Sequence, residues 1–272
     1  MGFRKCLKNT FYIGSAIAVG AYWYKTKQRR RSEVLGNYSP LIDKINVTVD
    51  GVLSEQYAFS WDDEERCVYA RVLKFGSLGQ LIDQKFLEFE HYDDKILVAE
   101  SNDDSGDLKA FSIYTRNEFG MITSVIHRLL GGKERRDDLF MNGSELSMIC
   151  TGEDQTFFKW EEGNIVSISR GENERLKMTY YKNIENHLFP DINLLIKGLS
   201  CEMPLTYLMG TRSRNYVRTI VKNGPQFHEQ TFLSYLLDHY DRPIQILMET
   251  TTVSEEKATN SSKEFDITYK KI

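Results

Sequence analysis

The sequence predicts an all-β fold: an antiparallel meander of about ten or more short strands, forming a curved sheet or partly open barrel, with one short helical or loop insert near residues 184–210. Three observations carry this. From residue 45 onward apolar residues recur with period two, as on a strand with one buried face. Turn signals built from Gly, Asp and Asn separate the alternating runs. And when the corner residues Glu65, Asp93, Gly120, Gly163 and Asp241 are aligned, an apolar residue stands five positions after each: Ala70, Val98, Val125, Ile168 and Ile246.

In chain order, "INVTVDGVLSEQYAFSW" alternates Ile45, Val47 and Val49, then meets Asp50-Gly51, a two-residue hairpin signal. "YAFSWDDEERCVYARV" places Tyr57, Phe59 and Trp61 on one face, turns at an acidic corner, and resumes at Val68 and Ala70. "FLEFEHYDDKILVAE" turns between His91 and Asp94. "FSIYTRNEFGMITSVI" turns between Asn117 and Gly120, "LFMNGSELSMI" at Asn142-Gly143, and "TFFKWEEGNIVSI" at Glu162-Gly163. "TFLSYLLDHYDRPIQIL" turns between Asp238 and Asp241, with Pro243 starting the outgoing strand. At four corners an acid or amide stands three positions before the aligned residue: Asp62, Glu90, Asn117 and Asp238. Such a side chain accepts backbone N–H bonds across a corner, and Gly or a short polar residue tolerates the left-handed conformation there. The turns "SNDDSGDLKA" and "LLGGKERRDD" fill the wider gaps, and this spacing leaves no room for βαβ units.

The stretch from Asn186 to Arg218 breaks the alternation. Asp191 can cap a helix over Ile192–Lys197 that stops at Gly198. Such an insert would close one end or one face of the sheet. The polar run 250–263 reads as a loop before the last strand, "EFDITYKKI".

Charge divides the chain of 272 residues into two parts. Residues 1–31 hold eight basic side chains and no acid, around an apolar run from Phe11 to Tyr24. That run is shorter than the ~20 residues of a spanning helix. It fits an export signal or membrane-targeting leader, although the basic cluster after it is atypical of a cleaved signal. Residues 32–272 form a single antiparallel β domain with 27 basic and 39 acidic side chains. An acidic body argues against nucleic acid as a partner, because phosphate neutralisation needs clustered cations. Cys6, Cys67, Cys150 and Cys201 contain no C-x-x-C pair, so they read as free thiols, not a zinc site or disulfide framework.

No residue set emerges as catalytic, and none as metal-binding. In "DHYDRPIQIL", His239, Tyr240, Asp241 and Arg242 look like active-site residues, and His91, Tyr92 and Asp93 repeat the first three in order. Neighbours on a strand point to opposite faces and do not converge on one substrate. The reading is a corner, not a relay. The five histidines, His91, His127, His187, His228 and His239, lack metal spacing, and Asn102–Asp107 lacks the closing Glu of a calcium loop. The acidic groups Asp62–Glu65 and Glu161-Glu162 lie on exposed turns, away from a cleft that glycosidase chemistry needs. Gly131-Gly132 with Lys133, Arg135 and Arg136 makes a basic loop in an acidic body. The triplets at Asn46, Asn142 and Asn260 match a glycosylation acceptor but are short enough to arise by chance. The aromatic pairs Tyr57/Phe59/Trp61 and Phe158/Trp160 mark a core face, or a groove for an apolar or carbohydrate ligand if the sheet is open.

The segments "IYTRNEFGMITSV", "KWEEGNIVSI", "INLLIKG…YLMGTRSRN" and "YLLDHYDRPIQI…FDITYKKI" together resemble a Bacteroides-type exported or lipoprotein-like family of unknown function with tyrosine-aspartate hairpin repeats, described as porin-like in fold. The resemblance covers most of residues 45–272 and implies an exported or envelope-associated protein. It brings no catalytic residues or cofactors. Asp241 stands where the family's corner has glycine, and no lipobox precedes a cysteine, which argues against lipid anchoring. The expectation is therefore a non-enzymatic exported or envelope protein, a ligand-binding or scaffold module. The alternatives are a glycan-acting hydrolase and a carrier of a hydrophobic ligand in an apolar trough. A membrane-spanning barrel is disfavoured by outward charges and by strands that read as short.

Overall fold

The computed structural model describes residues 38–102, 107–171, 174–188, 202–224, 226–254 and 257–271. Residues Pro40–Tyr269 form one compact unit; Met1–Ser39 with Lys270–Ile272 form a second, described only at 38–39 and 270–271. The leader and the expected helix at 192–197 lie outside the described residues, as do Cys6 and Cys201.

Among the described residues sixteen strands follow in order: β1 Tyr38–Val49, β2 Val52–Trp61, β3 Cys67–Phe75, β4 Leu81–His91, β5 Lys95–Ser101, β6 Leu108–Arg116, β7 Ile122–Leu129 and β8 Glu134–Asn142. Then come β9 Glu145–Thr151, β10 Asp154–Glu161, β11 Asn164–Arg170, β12 Glu174–Glu185, β13 Asn215–Gly224, β14 Phe227–Leu237, β15 Pro243–Ser254 and β16 Ala258–Lys271. Each pairs with the next, and β1 pairs with β16, so the meander closes into a barrel. At the seam the Asp50 N–H donates to the Ser262 carbonyl at 3.0 Å, and the Ser262 N–H donates to Asp50 Oδ1 at 2.8 Å. The expected curved or partly open sheet is corrected to a closed barrel. Among the described residues, closure leaves no unpaired strand edge. Strands run from 7 to 14 residues, longer than the sequence suggested.

An antiparallel meander puts alternate turns at opposite ends. The corners aligned in the sequence all lie at one end, where β2–β3, β4–β5, β6–β7, β10–β11 and β14–β15 join. The five apolar residues that follow them are all buried. Three corners share one geometry. Asp62 Oδ1 accepts the N–H groups of Glu64 and Arg66, Asn117 Oδ1 those of Phe119 and Met121, and Asp238 Oδ1 those of Tyr240 and Arg242. The fourth residue of each is left-handed: Glu65 at φ 62°, Gly120 at 79° and Asp241 at 59°. This is a type I turn followed by a left-handed residue, as in three-residue hairpins. Glu90 departs from the expectation. It accepts the Tyr92 hydroxyl at 2.8 Å, and its corner is a tighter turn closed by Tyr92 N–H to the Lys95 carbonyl. Asn142-Gly143 is shifted by one residue: Asn142 pairs with Glu145, so Gly143 and Ser144 are the central pair.

The core sits at this corner end. Leu41, Ile45, Phe59, Leu87, Ile96, Tyr114, Val125, Leu146, Ile165 and Phe265 form one buried cluster. A 3-10 helix, Met203–Met209, lies in the insert between β12 and β13, and its Leu205 and Met209 join that cluster. The helix touches β3 and β7. It ends at Gly210, which is left-handed at φ 65° and so close to the β8–β9 turn that a Cβ would lie 2.4 Å from Met141 Cε and 2.5 Å from the Ser144 carbonyl oxygen. The Leu146 N–H donates to the Gly210 carbonyl at 2.9 Å.

Candidate functional site: the barrel lumen

Directly opposed residues of antiparallel strands share a face, so the register assigns each side chain to the lumen or to the outside. The inward pairs Phe59↔Ala70, Ala70↔Leu87, Phe89↔Val98, Ile96↔Tyr114 and Tyr114↔Val125 are apolar and lie toward the corners. Continuing along the same faces toward the other end, most inward positions become polar: Glu55↔Lys74, Lys74↔Asp83, Ser112↔His127, His127↔Arg135, Asp137↔Thr151, Thr231↔Thr250 and Thr250↔Ser261, with Ala110↔Leu129 an apolar exception. Lys74, Asp83 and Arg135 point inward yet remain about half exposed. Solvent therefore enters the lumen from this end, whereas the corner end is filled by apolar side chains and by the helix of the insert.

Where the two halves meet, charged groups are paired. Lys85 Nζ lies 2.9 Å from Glu100 on β5 and 2.9 Å from Glu202 at the start of the helix. Burial acts to lower the Lys85 pKa, but the Glu202 and Glu100 carboxylates outweigh it and hold it above the ordinary value. Asp137, 1% exposed, accepts on Oδ1 from Arg135 Nε at 3.1 Å and Thr151 Oγ1 at 2.5 Å. Its Oδ2 is buried with no hydrogen-bond partner. Ser112 Oγ and His127 Nδ1 share a hydrogen bond of 2.7 Å. Tyr57 bonds the Glu55 carboxylate; burial first, then that carboxylate, pushes the phenol well above its usual range.

A buried amide network anchors the insert. The Asn164 amide donates to Asn215 Oδ1 at 3.1 Å, and the Asn215 N–H donates to Asn164 Oδ1 at 2.9 Å. The Arg214 N–H donates to the Gly163 carbonyl at 2.8 Å, and the Ile165 N–H to Ser213 Oγ at 3.2 Å.

The corner residues weighed from the sequence divide sharply. His239 is exposed and lies against the Tyr240 ring. Arg242, which the sequence grouped with His239, Tyr240 and Asp241, is buried and bonds Asp238 Oδ2 through Nε at 2.9 Å and Nη2 at 2.6 Å. Its guanidinium stacks 4.2 Å from the Tyr269 ring centre. His91, pushed to lower pKa by burial, donates to the Cys67 carbonyl at 2.7 Å. Tyr57, Phe59 and Trp61 stack along one inward face, and the Trp61 indole donates to the Ile42 carbonyl at 2.8 Å, so this aromatic face is core. Asn46 and Asn142 lie within strands. Asn260 is exposed on β16. Among the described residues no cluster of His, Cys, Asp and Glu has metal-binding geometry.

The lumen residues that sequence reasoning missed, Lys85, Glu100, Asp137 and Glu202, carry no local motif. Period-two alternation does place Lys85, Leu87 and Phe89 on one face, which is the signal that could have revealed an inward cation.

Two solved structures share this architecture. A porin-like protein from Bacteroides uniformis ATCC 8492 superposes with a TM-score of 0.67 at 14% sequence identity, over 86% of this chain and 99% of that one. A porin-like protein from Bacteroides vulgatus ATCC 8482 gives a TM-score of 0.54 at 11% identity, over 85% and 99%. No family model matches the chain, and no curated protein does. At these identities the likeness is one of fold, and the fold is that of a porin-like barrel.

Proposed function

We propose that this chain is a non-enzymatic cell-envelope barrel that binds a polar, hydrogen-bonding ligand in the open half of its lumen. The observation that carries the reading is the change in lumen character along the axis. The corner half is packed by Leu205, Met209 and the surrounding strands, whereas the other half presents inward Lys, Arg, Asp, Ser and Thr side chains to solvent. Orientation of a ligand by a few convergent polar groups is the usual design of a binding site. The basic and apolar leader supports export, and the porin-like neighbours support an envelope setting.

Three other uses of the barrel fit less well. A channel needs a continuous aqueous path, and the insert occupies the corner half of the lumen. Outward positions along the strands include Arg71, Glu88, Lys159 and Glu249, and a cation at the centre of a bilayer would cost ~2–4 kcal/mol. A carrier of a hydrophobic ligand needs an apolar trough, and the apolar half is filled by the protein's own side chains. A glycan hydrolase needs two carboxyls facing across a substrate cleft. Glu100 and Glu202 do converge, but Lys85 sits between them and bonds both. The Ser112–His127 pair has backbone N–H groups engaged in the ladders of β5, β6 and β7, which provide no oxyanion donor.

The deciding experiment is native mass spectrometry of the full chain purified from its own host. A co-purifying polar molecule, lost in Asp137→Ala and Arg135→Ala variants that still melt cooperatively, supports the reading. Bare protein, or a ligand unaffected by both variants, overturns it.

A further inference from the structure

On the outer wall, two rows of side chains cross the last three strands near the open end. The register sets Phe232 opposite Glu249 and Glu249 opposite Ser262, with Thr251 opposite Asn260 in the next row. The intervening Thr231, Thr250 and Ser261 face the lumen, so these five side chains project outward. Past Glu249 and Ser262, β15 and β16 stay paired with each other as far as Val253 and Ala258. The β1–β2 turn stops level with Ser262, where Asp50 is held. The step between this tall hairpin and the low turn leaves a groove of about 510 Å³, and Asp50, Phe232, Glu249, Thr251, Asn260 and Ser262 line it.

The protein uses only part of the bonding capacity of these groups. Asn260 Oδ1 accepts the Thr251 hydroxyl at 3.0 Å, which leaves the amide nitrogen as a donor. Asp50 Oδ1 accepts the Ser262 N–H at 2.8 Å and the Ser262 hydroxyl at 3.3 Å, which leaves Oδ2 as an acceptor. Among the described residues, Glu249 has neither a hydrogen bond nor an ion pair. The Phe232 ring is 49% exposed. Phe232 and Glu249 are directly opposed, ~5 Å apart, and Glu249 and Asn260 are diagonal neighbours, ~7–8 Å apart.

An aromatic face beside carboxylates and a carboxamide suits a ligand that is apolar on one face and rich in hydroxyls at its edge. A pyranose ring has that division. Its axial C–H bonds form a weakly electropositive face, which the electron-rich face of a phenyl ring attracts. Its neighbouring hydroxyls donate to carboxylate oxygens and accept from an amide. Charge narrows the class further. The lining holds two carboxylates and no cation, so a uronic acid, a sulfated sugar or a phosphate would meet like charge.

We propose that this groove binds a neutral glycan, with one sugar ring on Phe232 and the hydroxyls of that ring and its neighbour bonded to Glu249, Asn260 and Asp50. The site lies on the outer wall, so it is independent of the ligand reading for the lumen.

The test is affinity electrophoresis of the full chain in native gels containing β-glucan, arabinoxylan or mannan, and in gels containing polygalacturonate. The expected result is retardation by at least one neutral polysaccharide and none by polygalacturonate. Phe232→Ala and Glu249→Ala should each weaken binding at least about ten-fold, the loss of one central contact. Phe232→Tyr keeps the ring and should retain binding. Both alanine changes are at outward positions and should leave cooperative melting intact. Failure of all three neutral polysaccharides to retard the protein would overturn the proposal. So would equal retardation by polygalacturonate, which would show that the carboxylates do not select. Retardation lost in Asp137→Ala but kept in Phe232→Ala would place the glycan in the lumen and overturn the outer site.

Discussion

Arg242 is buried under the ring of Tyr269 and donates from Nε and Nη2 to the same oxygen of Asp238, at 2.9 and 2.6 Å. The other carboxylate oxygen holds the Tyr240 and Arg242 N–H groups. One side chain therefore closes the corner and neutralises the guanidinium beneath it. The Asp62–Arg66 corner repeats the arrangement at 2.8 Å, with its arginine more exposed.

Asp238→Ala removes the carboxylate that pairs with a buried cation, as well as an acceptor for two backbone N–H groups. The expected loss is about 3–5 kcal/mol, the range for a broken buried pair, measured by urea denaturation. Asp62→Ala, at a more solvated pair, should cost much less, about 0.5–2 kcal/mol as for a lost cap. Equal losses would show that the backbone bonds dominate at both corners.

These corners also set an acid limit. Burial raises the Asp238 pKa, but the bonds from Arg242 and from the backbone outweigh it and hold it below the ordinary carboxylate value; Asp62 follows the same pattern through Arg66. A depressed folded-state pKa stabilises above the unfolded value and loses that contribution as pH falls through the folded one. Stability should therefore be flat near neutrality and fall as pH drops below about 4. Asp238→Asn should flatten the acid limb of a plot of unfolding free energy against pH.

Gly210→Ala is expected to destabilise by about 1–3 kcal/mol, from the left-handed backbone and the clash with the β8–β9 turn. Amide exchange should show the loss first at Leu146, whose N–H is held by the Gly210 carbonyl.

Cys67 is buried, and burial pushes its thiol up to about 12. Peptide mapping after iodoacetamide at pH 8 should find Cys67 unmodified in native protein and modified in urea. Cys150, partly exposed, should react first of the two.

His239→Ala should change stability by less than about 0.5 kcal/mol and leave ligand binding intact, since the ring is exposed on a turn. Loss of ligand in a folded His239→Ala protein, seen by native mass spectrometry, would reinstate the corner as a functional site.

Most of the wall was legible because each hairpin is local. Period two and a turn residue fix a hairpin without reference to the rest of the chain, so the pattern around Ala70, Val98, Val125, Ile168 and Ile246 points to a common end. Closure was not legible, because it depends on β1 meeting β16, an encounter no local pattern encodes. The burial of Arg242 was hidden for a related reason. It comes from Tyr269, which arrives on the last strand. The insert failed as a pattern because its order comes from Asn164, Gly163 and Ser144 on distant turns. The lumen carboxylates Glu100 and Glu202 become neighbours only through Lys85, so no spacing in the sequence could announce them.

The seam between Asp50 and Ser262 has a consequence for how the protein is made. Residues 212 positions apart must meet before the barrel is whole. Until β16 emerges, β1 and the latest strand are open edges, ready to pair with any other chain. Folding that waits on so remote a contact is slow. Under the export proposed above, that delay would serve the chain: its hairpins can form and come apart, and the ring does not lock until its last strand is in place.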